Sequence, residues 1–154
     1  MSAENQIKLS RNQYRAIHMR DKKIERLKAQ QGWQGTGSAS DPIVIDNIVG
    51  FKPRLWFHES TYHFVLRGVS VYELIFHNTQ NVLVENCIIN KLEIEVYQNM
   101  TVKNNTIISI KLLYTRNSVI EGNSLTQKVK KTIENNSFEK IQPFLETMQL
   151  IVIV

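Results

Sequence analysis

The sequence of 154 residues predicts an all-β fold, a right-handed parallel β-helix of about five to six coils with an N-terminal α-helical cap. Three observations predict it: charges that alternate in sign every eighteen residues, apolar columns with the same period, and asparagine or glycine directly after each charge. In a solenoid each coil lies on the one before it. A fixed period of about twenty residues therefore places equivalent residues in vertical files.

The alternating charges set the register of the coils. They are eighteen residues apart, and we call them the charge ladder: Arg67, Glu85, Lys103 and Glu121. Neighbouring strands lie about 4.8 Å apart, so like charges in one file would repel, whereas opposite charges gain roughly 0.2–1 kcal/mol per pair. An earlier copy of the motif is expected to extend the ladder with Asp46 beneath Arg67, and a shortened copy follows at residues 133–138.

Apolar and corner positions keep the same eighteen-residue step. The column before the ladder is aliphatic, and the column after it holds Gly68, Asn86, Asn104 and Gly122. Glycine and asparagine tolerate the left-handed backbone of a sharp corner. A second strand repeats from residue 55 onward. Its period-two alternation predicts these inward residues: Leu74, Phe76, Leu92, Ile94, Ile110 and Leu112.

The entry to the repeats resembles a known family. The segment Gly-Thr-Gly-Ser-Ala-Ser-Asp-Pro-Ile-Val-Ile at residues 35–45 is similar to the Gly-Thr…Asp-Pro-Tyr-x-Ile opening of pectate-lyase-like β-helix proteins. The Asn-rich coils that follow resemble the carbohydrate-binding-and-sugar-hydrolase repeats. The resemblance covers about residues 35–141 and implies a β-helix that binds or acts on carbohydrate. Because this fold hosts lyases, hydrolases, epimerases and scaffolds, it does not by itself imply one activity.

Composition predicts one domain in three segments: a basic helix or cap over residues 1–34, the β-helix over 35–141, and a closing or oligomerisation segment over 142–154. The net charge is +5, and its excess lies in residues 1–31, which hold eight basic and three acidic residues. We expect neither a signal peptide nor a membrane span, and no cofactor. With one cysteine, Cys87, expected as a stacked corner thiol, a cytoplasmic location is predicted.

The N-terminal segment is predicted to be helical. A capping box over residues 10–13 indicates the start, and Gly32 is expected to end the helix near Gln31. The helix could cover the open first coil, since solenoid ends need caps. It could also bind nucleic acid or another polyanion through its basic residues. Those residues are Arg11, Arg15, Lys22, Lys23, Arg26 and Lys28. Trp33 is expected to anchor the linker, the short segment between the helix and the first coil, onto the β-helix.

Two groups of outward side chains are candidates for chemistry. His58, His77 and Glu95 are expected on consecutive coils, and such a trio matches zinc or copper ligands in type. For carbohydrate, Trp56 could stack on a sugar ring, and Glu93 could act with Glu95 as an acid–base pair. The alternative is that Glu93 pairs with Lys111 and Glu95 with His77, as complementary neighbours on a solvated strand face.

The C-terminal segment carries the strongest signal for interaction. Its last five residues are apolar and mostly β-branched: Leu150, Ile151, Val152, Ile153 and Val154. Left exposed, such a strand would aggregate. It is therefore expected either to close the last coil or to pair with another chain, which would make a homo-oligomer. The favoured hypothesis is a non-catalytic, self-associating scaffold or binding module. Polyanion binding and carbohydrate binding are the alternatives.

Overall fold

The computed structural model of the chain describes residues 16–46, 48, 53–125, 132–134, 138–141 and 152–153. It is an all-β parallel solenoid of about four turns with one short N-terminal helix. The elements are β1 (Ala16–Met19), α1 (Asp21–Gln31), β2 (Ile43–Ile45), β3 (Arg54–His58), β4 (Phe64–Arg67), β5 (Ser70–His77), β6 (Gln80–Glu85), β7 (Ile88–Lys103), β8 (Thr106–Arg116), β9 (Ser118–Glu121), β10 (Ser124–Leu125), β11 (Thr132–Glu134), β12 (Phe138–Ile141) and β13 (Val152–Ile153).

The strands follow two faces of the solenoid that meet in β7. On one face β1, β3, β5, β7 and β8 stack in parallel, followed by β11 and β13. On the other face the order is β2, β4, β6, β7, β9 and β12. The charge ladder is confirmed on this second face, because Arg67 pairs with Glu85, Glu85 with Lys103, and Lys103 with Glu121.

The predicted corners are confirmed by the backbone. The residues that follow the charge ladder have φ values of 64°, 54°, 55° and 62° at Gly68, Asn86, Asn104 and Gly122. A second set of asparagines with positive φ, Asn81, Asn99 and Asn117, repeats at the same eighteen-residue step. The coil is therefore bent at positions where asparagine or glycine reduces the steric cost of a left-handed backbone.

A column of buried polar groups lies one residue beyond these corners. The Asn105 side-chain oxygen accepts a hydrogen bond from the backbone N–H of Cys87 at 2.9 Å, and its amide donates to the carbonyl of Val84 at 3.0 Å. Asn123 repeats the pattern one coil later, accepting from the Asn105 N–H at 2.9 Å and donating to the carbonyl of Val102 at 2.8 Å. These amides satisfy backbone groups that the corner would otherwise leave buried and unpaired.

Inside the coils the predicted apolar files form one core. Leu74, Phe76, Leu92 and the other residues predicted to point inward are at most 1% exposed. The largest rings lie towards the N-terminal end, where Phe57 stacks on Phe76 with centroids 5.0 Å apart and lies 5.5 Å from Phe64. Cys87 is buried in this core, directly after the corner at Asn86, which confirms the prediction that its thiol is stacked at a corner of the coil. Burial raises the pKa of that thiol.

The start of the N-terminal helix is a correction to the sequence analysis. The helix begins at Asp21, and residues 16–19 form strand β1, paired with β3 from Ala16↔Arg54 to Met19↔Phe57. Pairing with the open edge of the first coil outweighs the helical pattern there, because it satisfies the backbone groups of that edge. The predicted capping box lies outside the described residues. The end of the helix is confirmed at Gln31, with Gly32 left-handed at φ 70°.

The cap is built from the strand, the helix and the linker together. Met19 and Ile24 are fully buried and Leu27 is 8% exposed, so β1 and α1 extend the hydrophobic core. Trp33 anchors the linker as predicted, since it is buried and its indole N–H donates to the carbonyl of Asp46 at 3.1 Å. Beside it, the carbonyl of Gln34 accepts from the N–H of Val44 in β2 at 2.9 Å.

The number of turns is slightly lower than predicted, about four instead of five to six. The later coils were predicted from the shortened repeat, and much of that segment lies outside the described residues. The predicted right hand of the winding stays a prediction. In the described part of the chain, no helix is long and apolar enough to cross a membrane.

Candidate functional site

Five side chains on the outer surface of the first coils contact one another: His18, Trp56, His58, Glu73 and His77. We call them the first-coil cluster. Strands β1, β3 and β5 position it, because parallel pairing places His18 against Trp56, Trp56 against Ile75, and His58 against His77. The predicted files are confirmed further along this face, where Glu93 follows Ile75 and Glu95 follows His77.

Glu73 is the most buried charge of the cluster, with a side chain that is 6% exposed. Its carboxylate accepts hydrogen bonds from the Trp56 indole N–H at 2.9 Å and from Lys91 Nζ at 3.0 Å, and Arg54 lies 3.4 Å away. Burial by itself would raise the pKa of Glu73, but the bonds from Lys91 and Trp56 outweigh it and hold the pKa below its usual value. The carboxylate is therefore a fixed anion that joins three strands.

The predicted carbohydrate residues each have a partner within the chain. Trp56 is half-buried, its indole N–H is taken by Glu73, and the ring of His18 meets it edge-on with centroids 5.1 Å apart. The carboxylate of Glu93 contacts Lys91 and Lys111, each at 3.3 Å. The expected contact between Glu93 and Lys111 is thus present. Carbohydrate binding at these residues stays a prediction.

Three histidines of the cluster follow one another across β1, β3 and β5. The Nδ1 atom of His18 lies 3.0 Å from the Nε2 atom of His58, and the two ring planes are inclined by 16°. His77 lies on the other side of His58, with ring centroids 6.2 Å apart. Burial and the nearby His18, Arg20 and His77 lower the pKa of His58, which keeps its imidazole neutral to more acidic pH.

The predicted metal trio shares one face, since His58 pairs with His77 and His77 with Glu95. Among the residues that the structure describes, however, no group of three or more histidine, cysteine, aspartate or glutamate side chains is arranged to hold a metal ion. Coordination by all three residues stays a prediction without geometric support. The closer partner of His58 is His18, which sequence reasoning had placed in a helix.

Four of the predicted polyanion residues lie in α1. Lys22 and Arg26 are exposed, and Lys23 and Lys28 are half-buried. Arg11 and Arg15 lie outside the described residues. The acidic residues of the helix are turned towards the body: Ser60 Oγ donates to the Asp21 carboxylate at 2.6 Å, and a hydrogen bond with Glu25 contributes to raising the pKa of Tyr62.

The predicted self-association residues are described at two positions. Val152–Ile153 form β13, which pairs in parallel with β11 of the same chain through Ile133↔Val152 and Glu134↔Ile153. The described part of the tail thus adds a strand to its own solenoid. Leu150, Ile151 and Val154 lie outside the described residues.

Sequence reasoning missed two members of the cluster. Glu73 stands between Arg54 and Lys91 in one file, so a second alternation of charge at steps of nineteen and eighteen residues was present in the sequence. The signal for His18 is weaker. Ile17 and Met19 align with Leu55 and Phe57 at twice nineteen residues, but four residues can equally begin a helix.

No protein-family model, no curated protein and no solved structure matches this chain. The parallel solenoid agrees with the β-helix architecture that the entry motif implies. The more specific likeness to the pectate-lyase-like family remains a resemblance.

Proposed function

We propose that this chain is a non-catalytic assembly module that associates with further copies of itself through the C-terminal end of its solenoid. The observation that carries the proposal is the position of β13, an apolar strand joined to the sheet beside β11. Within the described residues, β13 has that one strand neighbour. A strand with one neighbour presents a second row of backbone N–H and C=O groups to a further strand.

The opposite end of the solenoid supports this direction of assembly. Strand β1 covers the edge of β3, Gln34 in the linker takes a backbone hydrogen bond from β2, and α1 buries Ile24 and Leu27 against the core. Among the described residues β1 is itself an edge strand, but α1 follows it and packs against it, so we expect strand pairing between copies at the C-terminal end instead.

The carboxylates on the sides of the solenoid support a non-catalytic role. Glu73, Glu85 and Glu93 each contact a lysine or arginine within 3.4 Å. A general acid or base must exchange its proton with substrate, and at Glu73 the hydrogen bonds from Lys91 and Trp56 favour the charged carboxylate. These contacts fit residues that fix the coils in place.

The test is the mass in solution of the full chain, of a chain lacking residues 150–154, and of Ile153→Lys. An edge lysine opposes strand pairing. Light scattering is expected to give the full chain at least twice its 17.9 kDa mass and both variants the mass of a monomer. Ile88→Lys is the matched control, since Ile88 is 52% exposed on the side of the solenoid and its substitution should leave the mass unchanged.

Two results would contradict the assembly proposal. One is a full chain that is monomeric at all concentrations. The other is a truncated chain that keeps its circular dichroism spectrum and also keeps the mass of the full chain. Either result would mean that the apolar tail only closes its own last coil.

A second function is favoured by the orientation of α1, namely binding of a polyanion. Asp21 and Glu25 face the turn at Ser60 and Tyr62, and this leaves Lys22 and Arg26 one helical turn apart on the exposed side. Such a surface attracts polyanions by charge and releases counterions on binding, so its affinity falls steeply with salt.

Retention on immobilised heparin tests this second function. The variant Lys22→Gln/Arg26→Gln is expected to elute at clearly lower salt than the wild type. Lys91→Gln/Lys111→Gln removes the same charge from the side of the solenoid and should elute with the wild type. Equal shifts for both variants would show that only net charge matters. Deleting residues 1–31 is a poorer test, because it removes β1 and α1 and uncovers the core.

A further inference from the structure

The contact between His18 and His58 lies where the N-terminal cap meets the first coil. His18 belongs to β1 and is exposed, and His58 ends β3 and is half-buried. Their facing nitrogens are 3.0 Å apart while the ring centroids are 5.1 Å apart. The rings therefore meet nitrogen to nitrogen rather than face to face, and one nitrogen donates the proton that the other accepts.

We propose that His18 and His58 form a two-histidine site for a divalent transition-metal ion of the copper and nickel class. Imidazole nitrogens bind such ions at about 2.0–2.1 Å, so two nitrogens 3.0 Å apart would subtend roughly 90° at the metal. That angle is the one between neighbouring ligands of a square-planar or tetragonal ion, as Cu²⁺ and Ni²⁺ prefer. A tetrahedral Zn²⁺ site needs nitrogens about 3.4 Å apart.

Binding requires a rearrangement of the two rings. In the hydrogen-bonded pair the two nitrogens point at each other, and the ring that donates must first move its proton to its other nitrogen. The site requires both rings to turn about χ2 until their lone pairs meet at one point, while the two nitrogens stay about 3.0 Å apart. A neutral pair takes up the metal with no net loss of protons, whereas a pair that carries an extra proton releases one.

The surroundings set how many ligands the protein supplies. No third histidine, cysteine or carboxylate in the described chain completes a group of three, so water fills the remaining positions. His77 lies 6.2 Å from His58 between ring centroids and shares the file with Glu95. Two nearby charges have opposite effects on a bound cation. The positive charge of Arg20 disfavours a cation near His58, and the negative charge of Glu59 favours one. A site of moderate affinity is expected.

The test is titration of the untagged, full-length protein with Cu²⁺, Ni²⁺ and Zn²⁺ in isothermal calorimetry. One Cu²⁺ per chain is expected, bound more tightly than Ni²⁺, with Zn²⁺ the weakest. The variant His18→Asn/His58→Gln places a side-chain amide near each facing nitrogen, so it keeps a hydrogen-bonding pair without imidazole ligands. It should weaken Cu²⁺ binding at least about tenfold, which corresponds to about 1.4 kcal/mol.

Two controls separate this site from the sequence-predicted trio and from unspecific binding. His63→Gln removes a histidine outside the cluster, and His77→Gln removes the trio member nearest to His58. Both should bind Cu²⁺ within about threefold of the wild type, because the proposed ligands are His18, His58 and water. The electron paramagnetic resonance spectrum of the wild type with Cu²⁺ should show a tetragonal ion with nitrogen ligands, and His18→Asn should reduce the nitrogen hyperfine structure.

Three results would overturn the proposal. They are no Cu²⁺ binding by the wild type, unchanged binding in His18→Asn/His58→Gln, or loss of binding in His77→Gln or His63→Gln instead. If the double variant does not fold, paramagnetic broadening in the wild type decides the question. Traces of Cu²⁺ should broaden the ring signals of His18 and His58 before those of His63, and equal broadening would contradict the site.

Discussion

The charge ladder and the first-coil cluster occupy two faces of one solenoid, and they are built differently. Ladder charges recur once per coil in strict register, and Lys103 and Glu85 form an ion pair of 3.4 Å with side chains 35% and 16% exposed. Cluster residues change from coil to coil. The file of Trp56 continues with Ile75, Glu93 and Lys111. The most buried charge of the cluster is Glu73, which lies in a different file and contacts residues of the two neighbouring strands.

The difference separates residues that build the coils from residues that need another explanation. A side chain that recurs at every turn is accounted for by stacking alone, because each copy stabilises the next. Side chains that break the repeat, such as His18 and His58, are not required by stacking. Functional sites are expected where local rules are broken, so the first coils are the first place to look for one.

The largest expected effect falls on the repeating side, in the buried amide column. Asn105→Ala leaves the N–H of Cys87 and the carbonyl of Val84 without their partner inside the core. Each unpaired buried group costs about 1–3 kcal/mol, so a loss of about 3 kcal/mol in the free energy of unfolding is expected. Urea denaturation measures it. A loss below about 1 kcal/mol would mean that the corners do not depend on these amides.

A smaller effect is expected from Glu73, and it contrasts the two faces directly. Glu73→Ala removes a buried carboxylate that contacts Arg54, Trp56 and Lys91, and should cost about 2 kcal/mol. The matched control Glu85→Ala removes a ladder carboxylate and should cost less than about 1 kcal/mol. Equal losses in urea denaturation would show that the two faces are energetically alike.

Restoring the repeat at Cys87 should stabilise the chain slightly. Cys87 stands in the column of Asn105 and Asn123. Its thiol lies 3.7 Å from the carbonyl of Leu66, which occupies the same position one coil before Val84, the residue whose carbonyl Asn105 contacts. Cys87→Asn should let the new amide donate to that carbonyl and raise the free energy of unfolding by about 1 kcal/mol. Thermal melting measures the change. A clear loss of stability would show that the first coils reject the repeat for steric reasons.

The smallest effect is a dependence on pH that Glu73 should carry. Its pKa is lower in the folded chain than its ordinary value of 4.5. The unfolded chain therefore binds the proton first as the pH falls. Glu73 contributes its full stability above about pH 4.5 and loses it as the pH falls towards the folded pKa. Urea midpoints between pH 6 and pH 3.5 should fall more steeply for the wild type than for Glu73→Gln, and parallel curves would contradict this.

Much of the architecture was predictable because stacking repeats its physical demands. Opposite charges at Arg67 and Glu85, left-handed corners at Asn86 and Asn104, and alternating burial along β5 all follow from one period. Each residue type was constrained by a neighbour eighteen positions away. The register could therefore be read from the sequence without knowledge of distant contacts.

The cap and the cluster were harder to predict because they depend on contacts that occur once. Residues 16–19 were expected to be helical, and only their pairing with β3 makes them a strand and brings His18 to His58. Glu73 was missed because its partners, Arg54 and Lys91, lie one coil away on either side at unequal steps. Four residues carry too little local pattern to decide between helix and strand.

One cross-linking measurement tests the stacking on which all of these comparisons depend. In a Cys87→Ala background, the variant Glu85→Cys/Lys103→Cys places one thiol on each of two adjacent coils, which we call rungs of the charge ladder. The Cα atoms of the two cysteines should be about 4.8 Å apart, which is within the range that a disulfide spans. Mild oxidation of the folded protein is expected to close this bond within one chain, while Glu85→Cys/Glu121→Cys, two rungs apart, stays reduced. Equal cross-linking of both pairs, or none in the first, would contradict the eighteen-residue coil.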